Sequence, residues 1–117
     1  MKTKVKVYHN PRCGKSRDCL VFLDNAKYEF EIIKYLENPI SKEELTSILS
    51  KLKIKPIELV RVKEKIWIEN YKNKSLSNNE IIDAMINNPI LIERPIVVNG
   101  DKAAIGRPLK KIQEILS

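Results

Sequence analysis

The sequence predicts an α/β fold: a mixed sheet with flanking helices, a helical insertion before a closing β-hairpin, and a C-terminal helix. Three observations predict it. An alternating strand near the N-terminus gives way to a helix and then a second short strand. Two capping-box signatures open helices in the middle of the chain. Finally, an Asn-Gly pair lies between two apolar runs and is followed by a proline-led helix.

Taken in order, Lys4-Val5-Lys6-Val7-Tyr8 alternates polar and apolar residues, the period of a strand, and ends at the turn-forming Asn10-Pro11. Ser16 to Asn25 places Cys19, Leu20 and Leu23 on one helical face, and Phe30-Glu31-Ile32-Ile33 is the second strand. Ser41-Lys42-Glu43-Glu44 and Ser77-Asn78-Asn79-Glu80 are capping boxes, in which a Ser hydroxyl takes a first-turn N–H and the Glu reaches back. They open helices through Leu45, Leu49 and Leu52 and through Ile81, Ile82 and Met85, the second stopped by Asn88-Pro89. Between them, Pro56 to Lys74 is polar and predicts only short helical pieces. Ile96-Val97-Val98 and Ala103-Ala104-Ile105 flank Asn99-Gly100-Asp101-Lys102. An Asn-Gly turn that takes positive φ at both central residues would close them as a hairpin. Pro108 suits the first turn of a last helix, Leu109 to Leu116. This order is that of a thioredoxin-like fold.

Its 117 residues suit one domain spanning the whole chain, residues 1–117, and 43% hydrophobic residues suffice for a core. No apolar run is long enough for a membrane span or a signal peptide, so a cytoplasmic location is expected. Two cysteines do not make a disulfide framework, and with one His they supply too few soft ligands for structural zinc. No metal and no membrane partner are expected. The net charge of +7 raises a nucleic-acid reading, but Lys42, Lys51, Lys53, Lys63 and Lys72 are scattered among acids with few aromatics. That pattern is a solvated surface, not a basic binding face.

The chemistry concentrates in His9-Asn10-Pro11-Arg12-Cys13-Gly14-Lys15-Ser16-Arg17. Cys13 falls between a strand end and a helix start, where unpaired N–H groups and the helix dipole favour an anion. Arg12, Lys15 and Arg17 add positive charge, so the site favours thiolate over thiol and could seat a tetrahedral oxyanion. A buried, inert cysteine is the bland alternative for Cys13. Cys19, six residues on and between apolar neighbours, reads as a core cysteine.

The segment Tyr8 to Arg17 resembles the active-site loop of the glutaredoxin-coupled arsenate reductase family. Further matches come in order: Tyr35-Leu36-Glu37-Asn38-Pro39, Arg61-Val62-Lys63, Pro89 to Val98, and Ile105-Gly106-Arg107-Pro108. Together they cover essentially the whole chain. The resemblance implies that Cys13 is the nucleophile, that His9 assists its ionisation, and that Arg61, Arg94 and Arg107 surround the oxyanion. It implies a supporting loop of Asn10, Arg12, Gly14, Lys15, Ser16 and Arg17, and a cis-proline at Pro95. Read without it, Arg61 is one more surface cation, and Arg94 and Arg107 are turn residues held extended by the prolines after them. His9 is then a strand-end residue, and Ser16 a helix cap.

The implied reaction reduces arsenate to arsenite through a cysteine–arsenate adduct. Glutathione is the co-substrate and glutaredoxin the partner, with no bound cofactor and a monomer expected. Two other readings stay open. A Spx-like regulator of RNA polymerase would use a Cys-x-x-Cys switch, and here Ser16 stands at the second position. A glutathione-dependent thiol oxidoreductase would keep Cys13 but act on another substrate.

Overall fold

The computed structural model describes residues 5–106 and 110–116. Four strands form one mixed sheet: β1 (Val5–Tyr8), β2 (Phe30–Ile33), β3 (Ile96–Asn99) and β4 (Lys102–Ile105), in the order β2-β1-β3-β4. β1 runs parallel to β2, pairing Val7 with Ile32, and antiparallel to β3, pairing Val7 with Val97. β3 and β4 form the antiparallel closing hairpin. Among the described residues five α-helices accompany the strands: α1 (Gly14–Asn25), α2 (Lys42–Leu52), α3 (Lys65–Asn70), α4 (Asn78–Asn87) and α5 (Lys110–Leu116). This is the thioredoxin-like arrangement, with three of the helices inserted between β2 and β3. Among the described residues no helix is long and apolar enough to cross a membrane.

Contacts divide the chain into two compact units, one from residues 1–38 and 94–117 and the other spanning Pro39–Glu93. The first holds the sheet, α1 and α5. Its core joins Val5 and Val7 of β1, Cys19 and Leu23 of α1, Val97 of β3, and Ile112 and Ile115 of α5. The spacing of Cys19 and Leu23, four residues, is that of one helical face, and both are fully buried. Burying side chains of this size removes them from water at about 25 cal/mol per Å² of apolar surface. That ties α1 firmly to the sheet that carries the strand end.

In the second unit the Ser77 box forms in full. The Ser77 hydroxyl accepts the Glu80 N–H at 3.2 Å, and a Glu80 carboxylate oxygen accepts the Ser77 N–H at 3.0 Å. At Ser41 the hydroxyl accepts the Glu44 N–H at 3.1 Å. The polar stretch between these helices folds as a short 3₁₀ turn, Pro56–Leu59, and as α3. α3 is fixed by Trp67, which is buried and stacks on Tyr71 with ring centroids 5.4 Å apart.

Two boundaries differ from expectation. The hairpin loop is Gly100-Asp101, since Asn99 still pairs with Lys102 as the last residue of β3. Gly100 alone takes positive φ there, 66°. A turn with glycine at its first central position needs positive φ only once, so Asn99 is free to remain in the ladder. The second difference concerns α1, which begins at Gly14 with Cys13, not Ser16, in the cap position.

Candidate active site

β1 delivers the chain to the site and its pairing holds it there. The His9 N–H donates to the Ile33 carbonyl at 2.8 Å, extending the β1–β2 ladder one residue beyond Tyr8. Asn10 then organises the turn. Its side-chain oxygen accepts the Arg12 N–H at 3.0 Å, and its carbonyl accepts the Cys13 N–H at 3.0 Å. The Asn10 N–H donates to the Ser16 hydroxyl at 3.4 Å. Ser16 is fully buried, so its hydroxyl braces the loop from inside instead of capping the helix. An Asn in a turn tolerates this because its side chain imitates a backbone acceptor two residues on.

Cys13 has extended φ and ψ of −98° and 122°, and its carbonyl accepts the Arg17 N–H at 3.1 Å, so α1 starts from it. Its sulfur therefore occupies the place of a capping oxygen, over the first N–H groups of the helix. Although Cys13 is only 7% exposed, it is not inert. Burial pushes its thiol up, but the Ser16 N–H, the hydrogen bond and charge of Arg94, and the Lys15 N–H outweigh burial and hold it down at about 7, against an ordinary 9.0. Lys15 thus acts through its backbone. The guanidinium that counts comes from Arg94, 81 residues away in sequence. Arg12, Lys15 and Arg17 are exposed around the loop, and Gly14 leaves room beside the Arg17 guanidinium.

Arg94 stands directly before Pro95. The Arg94–Pro95 peptide bond is cis, and the Pro95 carbonyl accepts the Gly106 N–H at 2.9 Å. A methyl group on Gly106 would stand 2.8 Å from Ile112 Cδ1 and 2.9 Å from Pro95 Cγ. Only glycine lets the chain leaving β4 pass so close to the proline.

His9 is buried, and its Nδ1 has no hydrogen-bond partner among the described residues. Burial, then the charges of Lys34 and Arg17, lower its pKa below 6.5. That shift favours the neutral ring over the cation. Cys19 behaves oppositely to Cys13: fully buried, its thiol is pushed up to about 12 by burial.

Arg61 belongs to the second unit. There the segments around Val60 and Ile92 form an antiparallel bridge, with the Arg61 N–H on the Leu91 carbonyl at 2.7 Å. Its guanidinium bonds the Glu64 carboxylate at 2.5 Å and lies 3.8 Å from that of Glu93. Sequence reasoning singles out neither glutamate. The three-residue spacing of Arg61 and Glu64 could signal their pairing, whereas Glu93 carries no such signal. Lys34, which bears on His9, is likewise missed. Arg107 and Pro108 lie outside the described residues. Among the described residues no three His, Cys, Asp or Glu side chains group as a metal site would require.

The arrangement is thus a stabilised thiolate beside a guanidinium and the first N–H groups of α1, suited to attack on, or seating of, a tetrahedral oxyanion. The profile of the ArsC family matches residues 8–115 of the chain. An arsenate reductase of Haemophilus influenzae is 44% identical over 96% of this chain and 98% of its own. An uncharacterised Escherichia coli protein, YfgD, is 45% identical over 99% of both chains. Among solved structures, an arsenate reductase from Vibrio cholerae superposes with a TM-score of 0.93 at 40% identity, covering 99% of this chain and all of that one. On sequence and fold alike, this chain belongs to the ArsC family.

Proposed function

We propose that this protein reduces arsenate to arsenite through a covalent adduct on Cys13, resolved by glutathione and glutaredoxin. The observation that carries the reading is the Cys13 thiol held at about 7 beside Arg94, in a chain similar over its length to proteins named arsenate reductase.

The Cys13 thiolate attacks arsenic(V), an S–As bond forms, and one arsenate oxygen leaves as water after protonation. The thiolate of glutathione then adds to the same arsenic and displaces a second water. Attack by a glutaredoxin thiolate on the glutathione sulfur breaks that S–As bond. The two sulfurs are oxidised to a mixed disulfide, and the electron pair stays on arsenic, now arsenic(III). Hydrolysis of the remaining S–As bond releases arsenite and restores the Cys13 thiolate. Arg94 stabilises both the thiolate and the negative charge of the incoming oxyanion. Arg61 and Arg107 take an oxyanion-binding role in this reading through the family resemblance alone. An external thiol is needed because Cys19, fully buried and pushed up to about 12, is unsuited to resolve the adduct.

The reductant is tested by following NADPH oxidation with arsenate, glutathione, glutathione reductase and glutaredoxin, omitting each in turn. Loss of turnover without glutathione or without glutaredoxin supports the coupling. Equal turnover with thioredoxin and no glutathione overturns it.

A further inference from the structure

Two cations beside the Cys13 loop, Arg17 and Lys34, are in no ion pair with a carboxylate among the described residues. Lys34 follows directly on β2, whose last residue, Ile33, accepts the His9 N–H at 2.8 Å. That bond holds the chain leaving β1 beside the chain leaving β2. Arg17 stands one turn along α1, its N–H on the Cys13 carbonyl at 3.1 Å. Helical side chains lean back toward the N-terminus, and Arg17 does so: its Nη2 would stand 3.9 Å from a Cβ placed on Gly14. Apart from the chain neighbours of Gly14 and the backbone of α1, no other described group lies within 4 Å of that point, so the backbone there is open to a ligand. Both cations are exposed, and both act on His9, whose pKa they lower after burial has done so. His9 itself is only 5% exposed, and its Nδ1 has no hydrogen-bond partner among the described residues.

The charge at the sulfur comes from elsewhere. The guanidinium that bears on Cys13 is that of Arg94, whereas Lys34 and Arg17 bear on His9. An anion held at the Cys13 sulfur is served by Arg94 and the first N–H groups of α1. Lys34 and Arg17 are left for a second anionic group, set back from the sulfur. We propose that Arg17 and Lys34 form the subsite for a carboxylate of glutathione, with the tripeptide lying across the open backbone at Gly14. The choice of ligand rests on the glutathione coupling proposed above. The planar fork of Arg17 suits a carboxylate, and the Lys34 ammonium adds a point charge. The reach is also right. The glycyl carboxylate lies one residue beyond the reacting cysteine, on the order of 7 Å from its sulfur when extended. Arg17 stands about 6 Å along the helix from Cys13. Like charges around an imidazole disfavour its protonation, and a carboxylate between them offsets that, so His9 reports on the subsite.

The test uses the full chain and S-methylglutathione, whose thioether does not react with Cys13. It follows the ring-proton NMR signal of His9, the one histidine in the sequence, against pH. Arg17→Gln and Lys34→Gln should each raise the His9 midpoint in the free protein, since each removes a charge that lowers it. S-methylglutathione should raise the wild-type midpoint as well. Each variant should need about two- to fivefold more of it for half-saturation, the size of an exposed charge pair. The dimethyl ester of S-methylglutathione, with no free carboxylate, should leave the midpoint unmoved. A midpoint that S-methylglutathione does not move, equal binding of the ester, or variants that bind as tightly as the wild type would each overturn the subsite. Sulfate or arsenate producing the same rise at lower concentration would assign the two cations to the oxyanion and overturn it too. Turnover separates the subsite from the coupling. If arsenite formation needs glutathione but the midpoint does not move, the subsite falls and the coupling stands. If the midpoint moves as expected but arsenite forms equally without glutathione, the coupling falls and the carboxylate subsite stands.

Discussion

Replacing Arg94 by Ala isolates the feature on which the reactivity of Cys13 depends. In the wild type, burial raises the thiol, and it is lowered to about 7 by the Ser16 N–H, by the hydrogen bond and charge of Arg94, and by the Lys15 N–H. Two of those four lowering contributions belong to Arg94. Without them, burial is opposed only by two backbone N–H groups, and the thiol returns toward its ordinary 9.0. At pH 7 a thiol titrating at about 7 is about half thiolate, whereas one at 9.0 is roughly 1% thiolate, a ceiling of roughly 50-fold. The observed rate moves less. A more basic thiolate is intrinsically more nucleophilic, with a Brønsted slope of about 0.4–0.5, which shrinks that ceiling to roughly sixfold. The assay is the pH dependence of iodoacetamide alkylation of Cys13, read by mass spectrometry on protein whose fold is checked by circular dichroism. Arg94→Ala should be about two- to sixfold slower at pH 7, with its midpoint displaced upward, and should equal or exceed the wild type at pH 10. A folded variant with an unchanged midpoint would refute the role given to Arg94.

The remaining predictions concern His9 and Gly106. Because the folded His9 pKa lies below 6.5, the unfolded chain binds more protons between those values. Stability should therefore fall as pH drops below about 6.5 toward the lowered value, and His9→Asn should flatten that part of the melting curve against pH. A His9→Asn profile parallel to the wild type would remove His9 as the cause. Gly106→Ala drives a methyl group to 2.8 Å from the fully buried Ile112 and 2.9 Å from the Pro95 ring. Overpacking of this kind costs about 1–3 kcal/mol, which lowers Tm by about 4–12 °C in a chain of this length. An unchanged Tm would show that α5 yields easily.

Much of the fold is legible in the sequence, and the exceptions have physical reasons. The Ser77 box is readable because both partners lie within four residues, and local hydrogen bonds write themselves into local spacing. The start of α1 is not, because a Ser hydroxyl is the usual cap, whereas here a cysteine sulfur holds that position and Ser16 turns inward. The hairpin loop slips by one residue because the Asn-Gly signal does not say which of its members stays in the ladder. Helix ends marked by left-handed lysines, Lys27 at φ 61° and Lys53 at φ 59°, give no warning, since glycine normally signals such a turn. In the site, the Cys13 loop is visible as one contiguous segment. That Arg94 supplies the charge, and that Glu93 lies beside Arg61, are long-range facts that spacing does not encode, whereas the Arg61–Glu64 pair is local, three residues apart.

The central claim is that one thiolate, Cys13, carries out arsenate reduction without help from the other cysteine. Its most direct test is arsenite formed per enzyme by wild type, Cys13→Ser and Cys19→Ser in the presence of arsenate, glutathione and glutaredoxin, with arsenite quantified by speciation chromatography. Arsenite from the wild type and Cys19→Ser, and none above background from a folded Cys13→Ser, is the predicted result. Arsenite from Cys13→Ser, or none from a wild type whose Cys13 still alkylates at pH 7, would contradict it.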